Sequence, residues 1–524
     1  MYRFAMRLTS GMAVYIAVMA LLTCLATPDA AAQRSKDTLR LPFKFPIDFV
    51  SYHYSGNVVE THFVTSGVFD TLVAFDETEL AYKPLLAKAW RQVDPLTIEF
   101  DLQEDVTWHD GEKFDADDVV DSLNWLANPD NKIRNRGNWA WISRVEKTGP
   151  HQVRLIAKTT SPFALARLAA GTDIYPEHIN AKLADRMQFG RQPVGTGMFK
   201  AVQVDTNKGI ILEKNVDYKH ATAAKPVGNI GRIHLLAIPD PGTQVAQLLA
   251  DGVDMIRDPE IDQLEDLAKD PRFATHIDQR IAYIYLTFDS RGRAGQKALA
   301  DVQVRKALMM SMDRALLTKV AVGDAPIPPV PALCWKPQQA GCDYSVALPN
   351  QDRAAAKKLL AEAGYPDGFD LTITCYTGTK YKRVAEVIAE DFRQVGVRTS
   401  IACVPAGTYL KMEREDKVQV VLAGFPAGSM PDVQGVLNLF AQPDRLDFHS
   451  DQELFALARE INSEMDPAKR TALGRKLFDI YTERAYGLPV APSPAFFVHT
   501  KDIKITGGTM QTYGIHPGHI NWVK

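Results

Sequence analysis

The chain has 524 residues, a formal net charge of −3 at pH 7, and hydrophobic side chains at 46% of its positions. A nearly neutral chain offers no basic surface for nucleic acid, and no run of like charges indicates a disordered tail. The length exceeds what one hydrophobic core normally serves, so we expect two or three domains.

The first 32 residues have the features of a secretory signal peptide. Arg3 and Arg7 precede the short apolar stretch Met12–Leu25, and the small residues Ala30–Ala32 suit a cleavage site. The apolar stretch is shorter than the roughly 20 residues that cross a bilayer. An uncleaved anchor and a lipid anchor at Cys24 are the alternatives. We expect cleavage and a periplasmic mature protein.

Four cysteines remain after the signal segment, and an even number in an exported chain favours disulfide bonds. Cys334 and Cys342 flank a loop-like stretch, so we expect a bond between them. Cys375 and Cys403 occupy matching positions in two predicted strands, where they either bond to each other or remain two buried thiols. The spacing of the four fits no zinc site.

The first half of the mature chain contains signals for both strands and helices. Branched and aromatic residues predict strands at Thr38–Phe45, Leu72–Phe75 and Leu96–Leu102, and Val58–Thr71 predicts a helix. Farther on, Gly242–Gly252 predicts another helix that a glycine ends. This mixture indicates an α/β protein.

A turn and a capped helix follow the third predicted strand. His109 precedes the tight turn Asp110-Gly111, and it has no partner at metal-ligand spacing, so we interpret it as a turn residue. Asp115 and Asp118 have the spacing of a capping box. We therefore expect a helix from Asp115, and its inner face consists of Val119, Leu123 and Leu126.

The glycine-punctuated stretch Gln192–Phe199 does not predict a phosphate site. A P-loop requires a lysine and a hydroxyl residue directly after its glycines, and neither stands there.

The centre of the chain predicts a buried strand at Ile281–Asp289, followed by a polar loop and a helix. Asp301 can cap this helix, whose apolar residues include Val304, Leu308, Met312 and Ala315 at spacings of three and four.

The second half predicts a strand, a helix and a further strand with the two strands parallel. Helices are expected at Asp352–Gly364, Lys382–Val395 and Asp466–Tyr481, and strands at Asp370–Tyr376 and Val397–Val404. Beyond them, the proline-rich stretch Leu488–Val498 predicts extended chain.

These segments, in this order, resemble the solute-binding proteins of bacterial ABC importers, in the peptide- and nickel-binding family. Lys358–Phe369 is similar to the family pattern almost letter for letter. Val106–Leu123, Gln192–Phe199 and Ile281–Arg314 also match it, with departures such as Asp289 where the family has asparagine. The resemblance spans roughly Trp108–Val498.

The resemblance implies a two-lobed α/β fold of the type II periplasmic-binding-protein kind, with two hinge crossovers and an extra subdomain in the first lobe. It implies the following division: signal peptide 1–32, first lobe 33–75, inserted subdomain 76–189, first lobe again 190–285, second lobe 286–489, and a return to the first lobe over 490–524.

The resemblance also implies a function. The protein would bind a peptide or peptide-like solute in the periplasm and deliver it to an inner-membrane ABC permease with ATPase subunits, as a monomer without cofactor, nucleic acid or catalysis. The alternatives are a receptor of this fold that feeds a non-peptide solute to a sensor, and a secreted hydrolase. No Gly-x-Ser-x-Gly, His-Glu-x-x-His or P-loop motif supports an enzyme. His516 and His519 have ligand-like spacing, but Pro517 and Gly518 keep them off a shared helix face.

A cleft between lobes needs aromatic walls and a few polar anchors. The residues that meet these criteria are Tyr52, Tyr54, Trp139, Trp141, Tyr376, Lys380, Ser429, Met430 and Asp432. The two indoles serve equally well as core residues. Lys380 could meet a cargo carboxylate or lie in solvent.

The position of Ser429 departs from the family pattern. In peptide-binding members, an aspartate near this point holds the amino terminus of the cargo, and Ser429 aligns with that aspartate. A serine offers no full negative charge to an ammonium. Either Asp432 or another carboxylate takes that role, or the cargo is not an ordinary short peptide.

Overall fold

The computed structural model describes residues 37–45, 47–55, 58–134, 136–279, 282–334, 339–343, 347–425, 430–443, 447–507 and 515–523. The predicted signal peptide, Cys24 and the candidate Ser429 lie outside these ranges. Across the described part of the chain, no helix combines the length and the apolar character that a membrane span requires.

The first lobe is built on a sheet in which β1 and β10 are parallel and the other neighbours antiparallel, in the order β1-β10-β9-β8. The strands up to residue 280 are β1 (Thr38–Phe43), β2 (Val73–Asp76), β3 (Ala81–Pro84), β4 (Ala87–Asp94), β5 (Thr97–Leu102), β6 (Ile142–Gly149), β7 (Gln152–Ala157), β8 (Phe199–Asp205), β9 (Gly209–Lys214), β10 (Arg232–Ala237), β11 (Met255–Arg257) and β12 (Phe273–Asp278). The helices are α1 (Val58–Val68), α2 (Ala116–Ala127), α3 (Ala164–Ala169), α4 (Glu177–Asn180), α5 (Pro241–Leu249) and α6 (Ile261–Lys269).

A separate antiparallel sheet, β4-β5-β7-β6, lies in the segment where the inserted subdomain was predicted. Helix α2 packs on it and begins as the sequence predicts. The Asp115 carboxylate accepts the Asp117 N–H, and the Asp118 carboxylate accepts the Asp115 N–H at 3.0 Å. Val119, Leu123 and Leu126 are buried beneath it, as their spacing requires.

The second lobe contains a five-stranded sheet in the order β15-β14-β16-β13-β17. Its strands are β13 (Tyr283–Phe288), β14 (Asp370–Tyr376), β15 (Arg398–Val404), β16 (Val420–Phe425) and β17 (Gly487–Pro492). Its helices are α7 (Val302–Ser311), α8 (Arg314–Val322), α9 (Arg353–Glu362), α10 (Thr379–Gln394), α11 (Ala406–Arg414), α12 (Gln434–Phe440), α13 (Gln452–Ile461) and α14 (Pro467–Glu483). The predicted parallel pair is present as β14 and β15.

Both pairs of cysteines are bonded in this lobe. The Cα atoms of Cys334 and Cys342 are 5.3 Å apart, and those of Cys375 and Cys403 are 4.4 Å apart. Cys375 lies directly opposite Cys403 in the register of β14 and β15. The disulfide therefore holds two neighbouring strands together.

The chain passes between the lobes twice. Strand β12 pairs with β18 (Ala495–Thr500) in the three-stranded sheet β11-β18-β12, whereas β13 and β17 belong to the five-stranded sheet. The passages thus fall between Asp278 and Tyr283 and between Pro492 and Ala495. A short pair, β19 (Ile503–Ile505) and β20 (Ile520–Trp522), follows β18 in the chain. This arrangement confirms the prediction of a two-lobed α/β fold with two crossovers.

The predicted single helix from Asp301 to Ala315 is wrong, because two helices occupy that stretch. Asp301 caps α7 through the Gln303 N–H at 2.7 Å, but Met312 is extended and Asp313 caps α8 through the Leu316 N–H at 2.9 Å. An aspartate whose carboxylate accepts the backbone N–H three residues later favours a new helix start over helix continuation.

Candidate functional site

A cavity of about 180 Å³ opens on the first lobe and extends to the second. Its walls come from α1, the β2–β3 hairpin, the loop 169–173, the turn that ends at Lys225 and the turn His516–His519. Pro431 contributes the wall on the side of the second lobe. The cavity therefore lies where the two lobes meet, which is where the fold predicts a ligand.

The glycine-rich loop 192–199 holds α1 in place beside this cavity. A Cβ on Gly195 would lie 1.8 Å from the backbone oxygen of Val68, so only glycine allows the loop to approach the end of the helix. The His109 ring forms two hydrogen bonds with the same loop. Its Nδ1 accepts the Gly195 N–H at 3.2 Å, and its Nε2 donates to the Gly197 oxygen at 2.9 Å. This agrees with a structural role for His109 and the loop.

Lys225 at the cavity forms an ion pair with the buried Asp70. Lys225 Nζ lies 2.5 Å from Asp70 Oδ1 and also donates to the Phe69 oxygen at 2.6 Å. Asp70 accepts further bonds from the Thr196 hydroxyl at 2.8 Å and from the Tyr218 hydroxyl at 3.1 Å. The ammonium of Lys225 thus bonds to two oxygen atoms of the protein, one on Asp70 and one on Phe69.

A second buried carboxylate at the cavity has no such cation bonded to it. Asp173 is 3% exposed, its Oδ2 has no hydrogen-bond partner among the described residues, and a hydrogen bond from Thr65 reaches its side chain. Burial raises the pKa of Asp173 to about 7, with Asp70 adding to the rise and Lys225 opposing it. A carboxylate held this way favours an additional positive charge nearby.

The histidines at the cavity are neutral. Burial lowers the pKa of His62 to about 3 and that of His519 to about 4, and it holds the pKa of His516 well below its usual range. His516 Nδ1 accepts the Gly518 N–H at 3.1 Å and its Nε2 donates to the Ser66 oxygen at 3.0 Å. In the described part of the chain, no three acidic, histidine or cysteine side chains form a metal-binding group.

The four aromatic candidates of the first lobe are not among the residues that line this cavity. The Tyr52 ring packs on Gly171, where a Cβ would come within 2.6 Å of it, and the Tyr54 hydroxyl accepts the Trp125 indole N–H at 3.1 Å. Trp139 and Trp141 are core residues, 1% and 8% exposed. Their indole groups donate to the Thr172 hydroxyl and the Asn138 oxygen, so neither indole requires a ligand.

The candidates at the end of β14 lie away from this cavity. Tyr376 packs on Tyr409 with ring centroids 4.5 Å apart. Lys380 Nζ donates to the Ser493 hydroxyl at 3.0 Å, in the second passage between the lobes. The structure thus places Lys380 at the second passage between the lobes, and a contact with a cargo carboxylate stays a prediction.

Met430 and Asp432 have structural contacts in the structure. Met430 is 1% exposed and packs into the core of the inserted subdomain, across the boundary between lobes. Both oxygens of Asp432 accept from Arg470, at 2.6 and 2.7 Å, and Oδ1 also accepts the Gln434 N–H at 2.8 Å. Asp432 is thus engaged in the core of the second lobe, and its role toward a cargo amine stays a prediction.

The titratable cavity residues Asp173, Lys225 and His62 were not among the sequence candidates. No motif marks them, since they come from a loop, a turn and a helix that are distant in the chain. The sequence offered only one signal, namely the short polar interruption Gly171–Asp173 between apolar stretches.

Comparison with known proteins agrees with the fold. Heme-binding protein A of Haemophilus influenzae is 26% identical over 474 residues, 82% of either chain. Glutathione-binding protein GsiB of Salmonella paratyphi A is 23% identical, covering 86% of this chain and 88% of GsiB. The periplasmic binding protein DppA of Helicobacter pylori, solved with the peptide STSA, superimposes with a TM-score of 0.76 at 21% identity, covering 93% of this chain and 98% of DppA.

A family model described as bacterial extracellular solute-binding proteins, family 5 Middle, matches residues 81–447. This match includes both disulfides, the inserted sheet and most of the second lobe. The chain therefore belongs to family 5 of the bacterial extracellular solute-binding proteins.

Proposed function

We propose that this protein is the periplasmic receptor of an ABC importer and that it binds a peptide or peptide-like solute. It captures the cargo between its lobes, closes by bending at the two passages, and presents the closed form to an inner-membrane permease with ATPase subunits. It acts as a monomer and changes no bond in the cargo.

The position of the cavity carries the proposal. Residues of the first lobe form most of its wall, and Pro431 of the second lobe completes it. Two short passages join the lobes, so a small change in backbone angles there opens or closes the cavity. Bound cargo shifts the equilibrium by its preference for the closed form, and a preference of a few kcal/mol is enough.

The relatives support a peptide-like cargo. One structural neighbour holds a four-residue peptide, and one curated relative is named for glutathione. Another relative is named for heme, which makes heme the most informative competing probe. Four alanines, Ala169, Ala170, Ala223 and Ala224, give part of the cavity wall small apolar side chains.

The experiment is a search for cargo followed by titration. Native mass spectrometry of freshly purified protein would detect a co-purified solute, and calorimetry would follow with a random tripeptide mixture, glutathione and heme. We expect binding of a tripeptide or of glutathione at one site, and recovery of the cargo unchanged. Binding of heme alone, or conversion of a peptide to products, would contradict the proposal.

A further inference from the structure

We propose that the first lobe selects a cargo that carries a positively charged amine, and that Asp173 supplies the negative charge that holds it. The inference rests on the proposed function, since it names the chemical class of the solute bound in the same cavity. It places the amine-binding charge on the first lobe, whereas the sequence pattern of the family places it on the second.

The described part of the second lobe offers no carboxylate for this role at the cavity. Pro431 is its contribution to the wall, and the neighbouring Asp432 is paired with Arg470, accepts the Gln434 N–H, and does not line the cavity. The aligned position itself carries a serine, Ser429. A cargo ammonium therefore has to find its counter-charge elsewhere.

The first lobe provides that charge at the cavity. Asp173 belongs to the cavity wall, is almost completely buried, and keeps one oxygen without a partner in the described structure. A buried charge needs a partner, because low-dielectric surroundings penalise it when it is alone. Asp76 and Glu77 add acidic groups at the rim of the same cavity.

The cation nearest to Asp173 is already paired, and the histidines of the cavity are neutral. Lys225 is bonded to Asp70 and the Phe69 oxygen, so this pair contributes no net charge. His62 and His516 stay neutral at pH 7 because burial lowers the pKa of each. A cationic group that enters the cavity thus meets the carboxylate of Asp173 with Asp76 and Glu77 at the rim, and an anionic group meets repulsion.

The arrangement couples cargo binding to a proton. Burial raises the pKa of Asp173 to about 7, so the side chain is partly protonated before cargo arrives. A bound ammonium favours the ionised form, and the affinity therefore falls as the pH drops below 7, toward a limit of tenfold per pH unit. The titratable groups next to Asp173 are Asp70, Lys225, His53 and Tyr175. His62, His516, His519, Asp76 and Glu77 line the same cavity. His53 and His62 have pKa values of about 4 and 3, so both stay neutral from pH 7 to pH 5.

The test compares free and blocked amines on the intact protein. A random tripeptide mixture and the same mixture after N-acetylation would be titrated at pH 5, 6 and 7, where a peptide amine remains protonated. We expect the wild type to bind the free mixture roughly tenfold to a hundredfold more tightly than the acetylated one. We expect this preference to weaken as the pH falls.

Two substitutions separate charge recognition from structural support. Asp173→Asn keeps the shape of the side chain, and we expect it to lose both the preference for free amines and the pH dependence. The control is Asp118→Asn, which alters another buried aspartate of the first lobe whose oxygens accept the Asp115 and Glu177 N–H groups away from the cavity. It should lower stability and leave both binding properties unchanged.

The outcomes are distinguishable. Equal binding of both mixtures by the wild type, or an unchanged preference in Asp173→Asn, overturns the inference and leaves the receptor proposal standing. A co-purified cargo without a basic nitrogen would also overturn the inference and leave the receptor proposal standing. Failure of both mixtures to bind, together with absence of any co-purified solute, overturns the proposed function and this inference with it. Even where Asp173→Asn does not fold, equal binding of the two mixtures by the wild type overturns the inference.

Discussion

Asp432 matches the family pattern for ligand binding, but in the structure it forms a buried ion pair with Arg470. Both residues are almost fully buried, and Arg470 also donates to the Ile461 oxygen at 2.9 Å. Removing one partner of such a pair leaves an uncompensated charge in the interior. We expect Arg470→Met to lower the free energy of unfolding by about 3–5 kcal/mol, measured by urea denaturation.

The double variant Asp432→Leu with Arg470→Met is the control. Because it removes both charges and keeps apolar volume, it should recover most of the lost stability. A loss below about 1 kcal/mol in the single variant would show that the pair is hydrated and open to a ligand.

Individual site residues were the hardest to predict from the sequence. Asp432 follows a proline at the position where the family pattern has an aspartate, and nothing nearby indicates that Arg470, 38 residues later, will saturate it. Trp139 and Trp141 could equally have lined a cleft, and their burial depends on partners such as Thr172 that only the fold brings together. Asp173 became a candidate only through burial and a missing partner, both of which are tertiary properties.

At the scale of elements, the hydrogen bonds between His109 and the loop 192–199 predict that the free energy of unfolding depends on pH. Burial lowers the pKa of His109 to about 4, whereas an unfolded histidine has a pKa near 6.5. Between those values the unfolded state binds more protons, so the free energy of unfolding falls as the pH drops from about 6.5 to about 4. A single histidine contributes at most about 1.4 kcal/mol per pH unit.

The variant His109→Gln should make this slope shallower, because glutamine can still donate to the Gly197 oxygen but takes up no proton. Urea denaturation at several pH values from 7 to 4.5 measures the two slopes. His53, His62 and His519 have pKa values lowered in the same direction, so a residual slope is expected in the variant. Identical slopes would mean that the His109 ring is protonated in the folded protein without penalty.

Elements whose signals are local in the sequence were predictable. The capping box at Asp115 and the parallel pair β14 and β15 follow from short patterns, and both are present. The break at Met312 was missed, because the apolar spacing continued across it while Asp313 began a second helix. Which sheet receives β17 and which receives β18 could not be read from their similar apolar sequences, since pairing depends on distant strands.

At the scale of the whole molecule, the order of family-like segments predicted two lobes and two passages. The contacts that close one lobe on the other were beyond that prediction, since each joins residues far apart in sequence. One of them is a hydrogen bond from Arg167 Nη2 to Gln434 Oε1 at 3.0 Å, between α3 and α12. Arg167 is 7% and Gln434 9% exposed, so the bond is shielded from water.

Loss of this contact should favour the open form. Arg167→Leu leaves the Gln434 oxygen without its donor when the lobes are closed, whereas water can satisfy it when they are open. An unsatisfied buried polar group costs about 1–3 kcal/mol, so we expect cargo to bind about 5- to 150-fold more weakly. Small-angle scattering should show a larger radius of gyration for the variant at the same cargo concentration. Arg186→Leu is the matched control, because Arg186 pairs with Asp121 inside the first lobe at 2.6 Å. That variant should lose some stability but close normally, and an equal effect of the two variants on scattering would mean that the Arg167 contact does not control closure.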